Sequence, residues 1–134
     1  MKTTRRQSRE VALQALYAWQ LSGTDPRGEE KQLPFAEQIL SGVVERAAEL
    51  EKIITPHLDR EFKRLSPVER AILYIGAYEL GAHPETPFKV VLNEAIELGK
   101  SYGGTEGHRF VNGVLEKVAA ALRPDEVARA RNPA

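Results

Sequence analysis

The sequence predicts an all-α protein, six helical segments arranged as two small bundles around one core. Two observations carry this. Apolar residues recur at three- and four-residue spacing in one segment after another, while no stretch alternates apolar and polar as a half-buried strand would. Serine or threonine followed by proline opens two of the segments, and glycines stand at segment ends, the punctuation of helices. A polar loop at 22–32 divides the 134 residues unevenly, and that length suffices for one domain with its own core.

The first segment covers about 5–21, and its VALQALYAWQL stretch is apolar on most of its circumference, as befits a helix central to a core. Gly23, Pro26 and Gly28 make 22–32 (SGTDPRGEEKQ) a turn-rich loop. Pro34 suits a first turn, and Phe35, Ile39, Leu40, Val43 and Val44 carry the next helix to about 48. A shorter helix follows through Leu50, Ile53 and Ile54, and the charged stretch 59–65 leads onward. Ser66-Pro67-Val68-Glu69 is a start signal in which serine caps free amides, proline fits the first turn and Glu69 completes a capping box. That helix runs to Leu80, with Gly81 as its C-terminal cap. Thr86-Pro87 opens the next, ending near Tyr102, with Phe88, Val91, Leu92, Ala95, Ile96, Leu98, Gly99 and Tyr102 on one arc. After a corner containing Gly103, Gly104 and Gly107, the last helix turns Val111, Val114, Leu115, Val118 and Leu122 inward. The polar, alanine-rich stretch 124–134 reads as a flexible tail.

Composition excludes several classes. Nineteen basic residues balance nineteen acidic ones, so attraction to a polyanion must come from local clustering rather than net charge. With no cysteine there is no disulfide, thiolate nucleophile or zinc–thiolate site. No signal-peptide pattern opens the chain and no apolar run approaches the ~18 residues of a membrane span, so a cytoplasmic protein without a membrane partner is expected. His57, His83 and His108 show no metal-ligand spacing, and no phosphate-cradling or nucleophile motif is present. Neither an enzyme nor a cofactor is expected.

The chemistry that remains is that of a binding surface. Lys2, Arg5, Arg6 and Arg9 face only Glu10 within the first ten residues. Cations at the positive end of a helix dipole cost about 0.3–1 kcal/mol each, so helix stability does not place them there. Arginine binds phosphate with a planar fork and stacks on bases, and aromatic rings supply the second ingredient of single-strand binding. Tyr17 shares an angular register with Arg6 and Glu10 and is the ring expected to be most exposed, while Tyr102 and Phe110 bracket the glycine corner. Glu79 falls among Val68, Ile72 and Ile75, where a carboxylate needs a partner, and an ion pair is the expected answer.

Three blocks carry a resemblance: 9–20 (REVALQALYAWQ), 67–80 (PVERAILYIGAYEL) and 87–117 (PFKVVLNEAIELGKSYGGTEGHRFVNGVLEK). In this order they resemble the NusB family of bacterial transcription antitermination factors over nearly the whole chain. The resemblance implies six to seven helices in two packed three-helix bundles, about 1–58 and 59–123, within a single domain over 1–123. It further implies binding of single-stranded boxA RNA from ribosomal RNA leaders together with NusE (ribosomal protein S-ten), within an antitermination complex with RNA polymerase. The RNA-binding positions carried over are Lys2, Arg5, Arg6, Arg9, Tyr17, Glu106, His108, Arg109 and Phe110, with Tyr17 and Glu69 also facing the protein partner. Four basic contacts predict a log–log salt slope of about −3 on single-stranded RNA. The alternative readings are a protein-interaction module that ignores RNA and an accessory domain of an RNA-modifying enzyme.

Overall fold

A computed structural model describes residues 4–102 and 107–132. They form six α-helices: α1 (Arg5–Ser22), α2 (Pro34–Ile54), α3 (Pro67–Ala82), α4 (Phe88–Tyr102), α5 (Gly107–Leu122) and α6 (Pro124–Arg131). Single 3₁₀ turns at Thr55–His57 and Phe62–Arg64 link α2 to α3. Helices α1, α2 and α3 pack on one another, as do α3, α4 and α5, so α3 is shared by two three-helix bundles. Every residue from Ala71 to Leu80 is buried, which is why that segment is apolar around most of its circumference.

Local chemistry sets most boundaries. Thr4 accepts the Gln7 amide at 3.0 Å and the Gln7 side chain accepts the Thr4 amide at 2.9 Å, a capping box that starts α1. Gly23, at φ 76°, ends it in the left-handed conformation that glycine adopts without steric cost. The Ser66–Glu69 capping box forms as the sequence predicts. The loop after α1 is tied down by Glu37, whose carboxylate accepts the amides of Gly28 and Glu30.

Three expectations are corrected. The two segments read at 34–48 and 50–54 are arms of one helix, α2, bent at Arg46, whose φ of −116° and ψ of 17° leave the helical range. Gly81 is not a cap, because α3 runs on to Ala82 and His83 closes it by donating its amide to the Glu79 carbonyl. The flexible-tail reading fails for 124–131: Pro124, an acidic first turn and a basic last turn make α6, and Val127 is buried against the core. A helix of eight residues is marginal alone, so tertiary contacts hold it. Glu126 supplies one by accepting the Phe88 amide at 2.8 Å, which, with Arg123 beside it, holds its carboxyl below the usual carboxylate range.

Helices α4 and α5 meet at a glycine. A Cβ on Gly99 would lie 2.7 Å from His108 Cα, a backbone atom that cannot rotate away. Gly99→Ala should therefore destabilise the fold by about 1–3 kcal/mol through overpacking. Gly81→Ala, with open space around its added carbon, should be neutral or stabilising by up to about 1 kcal/mol. Urea denaturation of the two variants compares them directly.

Candidate nucleic-acid interface

The three arginines of the amino end have three different fates. Arg9 is 3% exposed, and its Nε and Nη2 donate to the two carboxylate oxygens of Glu79 at 2.8 and 2.7 Å. Glu79 is itself 1% exposed, which answers why a carboxylate sits on the apolar side of α3. Arg9 thus belongs to the interior, and its assignment to the RNA surface is corrected: it is buried and its fork is committed to Glu79. Arg6 is half exposed and makes a second fork-to-carboxylate pair, with Glu94 of α4 at 3.0 and 3.1 Å. Arg5 is exposed, stacks its guanidinium over the Phe35 ring at 4.3 Å from the centroid, and feels the charge of Glu85 without a direct carboxylate hydrogen bond among the described residues. Lys2 lies outside the described residues.

These fates follow from the geometry of α1. Position 9 points between α1 and α3, position 6 lies toward the start of α4, and position 5 lies over the start of α2, where Phe35 sits. Thr4, Arg5, Arg6, Arg9, Thr86, Val90 and Glu94 line a shallow depression of about 490 Å³ at this end, with Arg9 at its floor, 3% exposed. It is basic on its α1 side and carries Glu94 on the other.

About 16 Å further along α1, at 1.5 Å per residue from Arg6, stands Tyr17. It is 40% exposed, as its register predicts, and Leu21 one turn on is exposed beside it. Gln14 donates to the Tyr102 hydroxyl at 3.2 Å, which brings the end of α4 to this part of α1. Gln20 donates to the Pro67 carbonyl at 2.9 Å and brings the start of α3 there too. Tyr17, the start of α3 with Glu69 and the end of α4 at Tyr102 therefore lie toward the carboxyl half of α1, away from the basic end. Glu69 is half-buried, and its carboxylate serves the α3 cap.

At the corner, Glu106 lies outside the described residues. His108 is half-buried, with Nδ1 enclosed and without a hydrogen-bond partner among the described residues, and its backbone is pressed against Gly99. Arg109 is exposed. Phe110 is half-buried, packs against the core and has the Arg60 guanidinium over its ring at 5.3 Å. Asn112 donates to Glu116 on its own helix at 3.1 Å.

Two residues escaped sequence reasoning. Arg60 reaches Phe110 from the turn region fifty residues earlier, and no local signal marks it. Glu94 falls outside the apolar arc of α4, near Glu97 and Lys100, which pair at 3.9 Å, so register alone assigns it to solvent. It turns instead toward α1, because the arc it occupies borders the apolar one and α1 crosses there.

Fold and surface together define a class: a small helical protein of two bundles sharing a central helix, with a basic amino end and an aromatic corner at opposite ends of one exposed strip. The chain belongs to the NusB family, whose profile matches residues 6–120. Transcription antitermination protein NusB of Nitrosomonas europaea is 50% identical over 94% of this chain and 82% of its own length. That of Burkholderia lata is 48% identical over 98% of both. Among solved structures, T. maritima NusB superposes with a TM-score of 0.84 at 28% identity, covering 96% of this chain and 99% of that one. A chain from the crystal structure of antitermination factors NusB and NusE in complex with dsRNA superposes at 0.79 with 29% identity, covering 87% and 96%. None of the described helices is long and apolar enough to cross a membrane.

Proposed function

We propose that this protein is an RNA-binding antitermination factor that recognises boxA RNA of ribosomal leader transcripts together with NusE, within a complex with RNA polymerase. The observation that carries the reading is the strip along α1: exposed Arg5 and Arg6 at one end, and exposed Tyr17 beside the α4–α5 corner at the other. A basic groove followed by rings is the arrangement that tracks a single-stranded backbone and stacks its bases. The solved relative in complex with NusE and dsRNA supports RNA binding alongside that partner. Lys2, Arg5 and Arg6 hold phosphates, while Tyr17, His108, Arg109 and Phe110, with Glu106, form the base-contacting end. Tyr17 and Glu69 face the partner protein. Arg60 joins the corner through Phe110.

With Arg9 removed from the set, three basic contacts lower the expected salt slope from about −3 to about −2 on single-stranded RNA. Arg5→Ala should weaken binding about fivefold near 0.1 M salt and flatten the slope by about 0.7, with the melting temperature unchanged. The deciding experiment is an anisotropy titration with single-stranded boxA RNA, a scrambled strand and a duplex, with and without NusE, across salt concentrations. NusE should tighten boxA binding most. Indifference to all three RNAs, with and without NusE, would overturn the proposal in favour of a protein-only module.

A further inference from the structure

We infer that Glu94 sets the affinity of the basic end for RNA by occupying the fork of Arg6, so that a phosphate must displace this carboxylate before Arg6 can contribute. The inference rests on the RNA-binding reading above.

Both nitrogens that Arg6 presents to Glu94 are used, one on each oxygen, and this is the bidentate geometry an arginine would offer a phosphate. The two ligands therefore compete for the same donors. Glu94 holds the advantage of position: its side chain is 16% exposed against 52% for Arg6, so the carboxylate is fixed on α4 while the guanidinium is the mobile partner. Glu10 and Glu97 stand close enough to add their charge to the hold on Arg6. Together with Leu98 and Ser101 they line a narrow groove of about 120 Å³ between α1 and α4, midway along the strip. A strand running from Arg5 toward Tyr17 passes this acidic stretch, where its phosphates are repelled unless Arg6 swings out to meet them.

The consequence is an ordering of the arginines. Arg5, stacked on the Phe35 ring and near Glu85 but with no carboxylate in its fork among the described residues, is available at first contact. Arg6 joins when the rest of the RNA is well enough placed to offset its exchange of partners. An RNA that touches the basic end alone leaves the Arg6–Glu94 pair closed, so weak electrostatic binding is held down.

The test uses the full chain and a twelve-nucleotide oligouridine as an electrostatic probe, titrated from 25 to 200 mM potassium chloride. Glu94→Gln keeps the shape of the side chain and removes its charge. It should tighten binding about two- to fivefold at low salt and steepen the log–log slope by about 0.7, as one more cation becomes free to neutralise a phosphate. Arg6→Ala should weaken wild-type binding less than Arg5→Ala does, and in the Arg6→Ala background Glu94→Gln should give no gain. A Glu94→Gln protein that binds with unchanged or lower affinity would overturn the inference, since Glu94 would then be neutral or would position Arg6 for RNA. Binding by the wild type that is lost in Arg5→Ala, combined with no response to Glu94→Gln, leaves the RNA reading standing and removes only the role of Glu94. No binding by the wild type to this probe or to boxA removes both.

Discussion

Glu79→Ala should lower the stability of the protein by about 3–5 kcal/mol, because it strands the Arg9 cation in the interior without its counter-charge. The pair lies between α1 and α3, both members are nearly fully buried, and both oxygens of Glu79 accept from the Arg9 fork. Removing one partner is far worse than removing both. The double variant Arg9→Met, Glu79→Leu replaces the pair with apolar groups of similar volume, and it should recover most of the loss. Urea unfolding followed by circular dichroism reads both, with a fall in midpoint at constant slope for the single variant. A single-variant loss below 1 kcal/mol would mean that water or backbone rearrangement rehydrates Arg9. The double variant also tests the corrected role of Arg9: it should bind RNA as the wild type does, whereas a direct Arg9–phosphate contact would cost affinity in proportion to one lost cation.

The second large effect is expected at Arg123→Ala. This side chain is 9% exposed, and its guanidinium donates to the carbonyls of Glu79, Leu80, His83 and Thr86 at distances from 2.6 to 3.2 Å, and also to Glu126. It thereby serves the Leu80 carbonyl near the end of α3 and the Thr86 carbonyl of the loop leading to α4, and it adds a second donor to the Glu79 and His83 carbonyls, which also accept the His83 and Thr86 amides. Leaving a buried carbonyl unpaired costs about 1–3 kcal/mol. With the Leu80 and Thr86 carbonyls freed and water replacing some donors, a total loss of about 2–4 kcal/mol is expected. Arg123→Lys should recover only part, since a single ammonium cannot point along so many directions. Hydrogen exchange should show the loss first at the Thr86 amide and along α6, which docks through Glu126 and Val127. Uniform loss across the molecule, with α6 no more affected than α1, would contradict this local role.

Much of this architecture is legible from residue order alone. The buried arcs of α4 and α5 and the capping box at Ser66 follow from periodicity and capping chemistry, which act over a few residues, whereas the first helix, expected at the centre of the core, buries one face only and leaves the centre to α3. The exposed position of Tyr17 follows from the same helical register. The capping reading fails at Gly81, where packing of α3 against its neighbours extends the helix beyond the favoured stop. It fails again at 124–131, where the proline and the charge pattern of α6 were visible but too weak in eight residues to outweigh a polar composition. In the candidate site, the basic cluster and the corner could be found as residue types. Their availability could not.

The sequence by itself determined an all-helical chain, its core-facing arcs, its membership of the NusB family and a cluster of arginines at the amino end. Only the tertiary structure decided what each arginine is for. Arg5, Arg6 and Arg9 lie within one and a half turns of a single helix, yet Arg9 closes a buried pair with α3, Arg6 is held by Glu94, and Arg5 remains open to solvent. The physical reason is distance along the chain. Periodicity and caps are fixed by near neighbours, whereas Glu79 and Glu94 lie 70 and 88 residues away from their partners and meet them only when the helices pack.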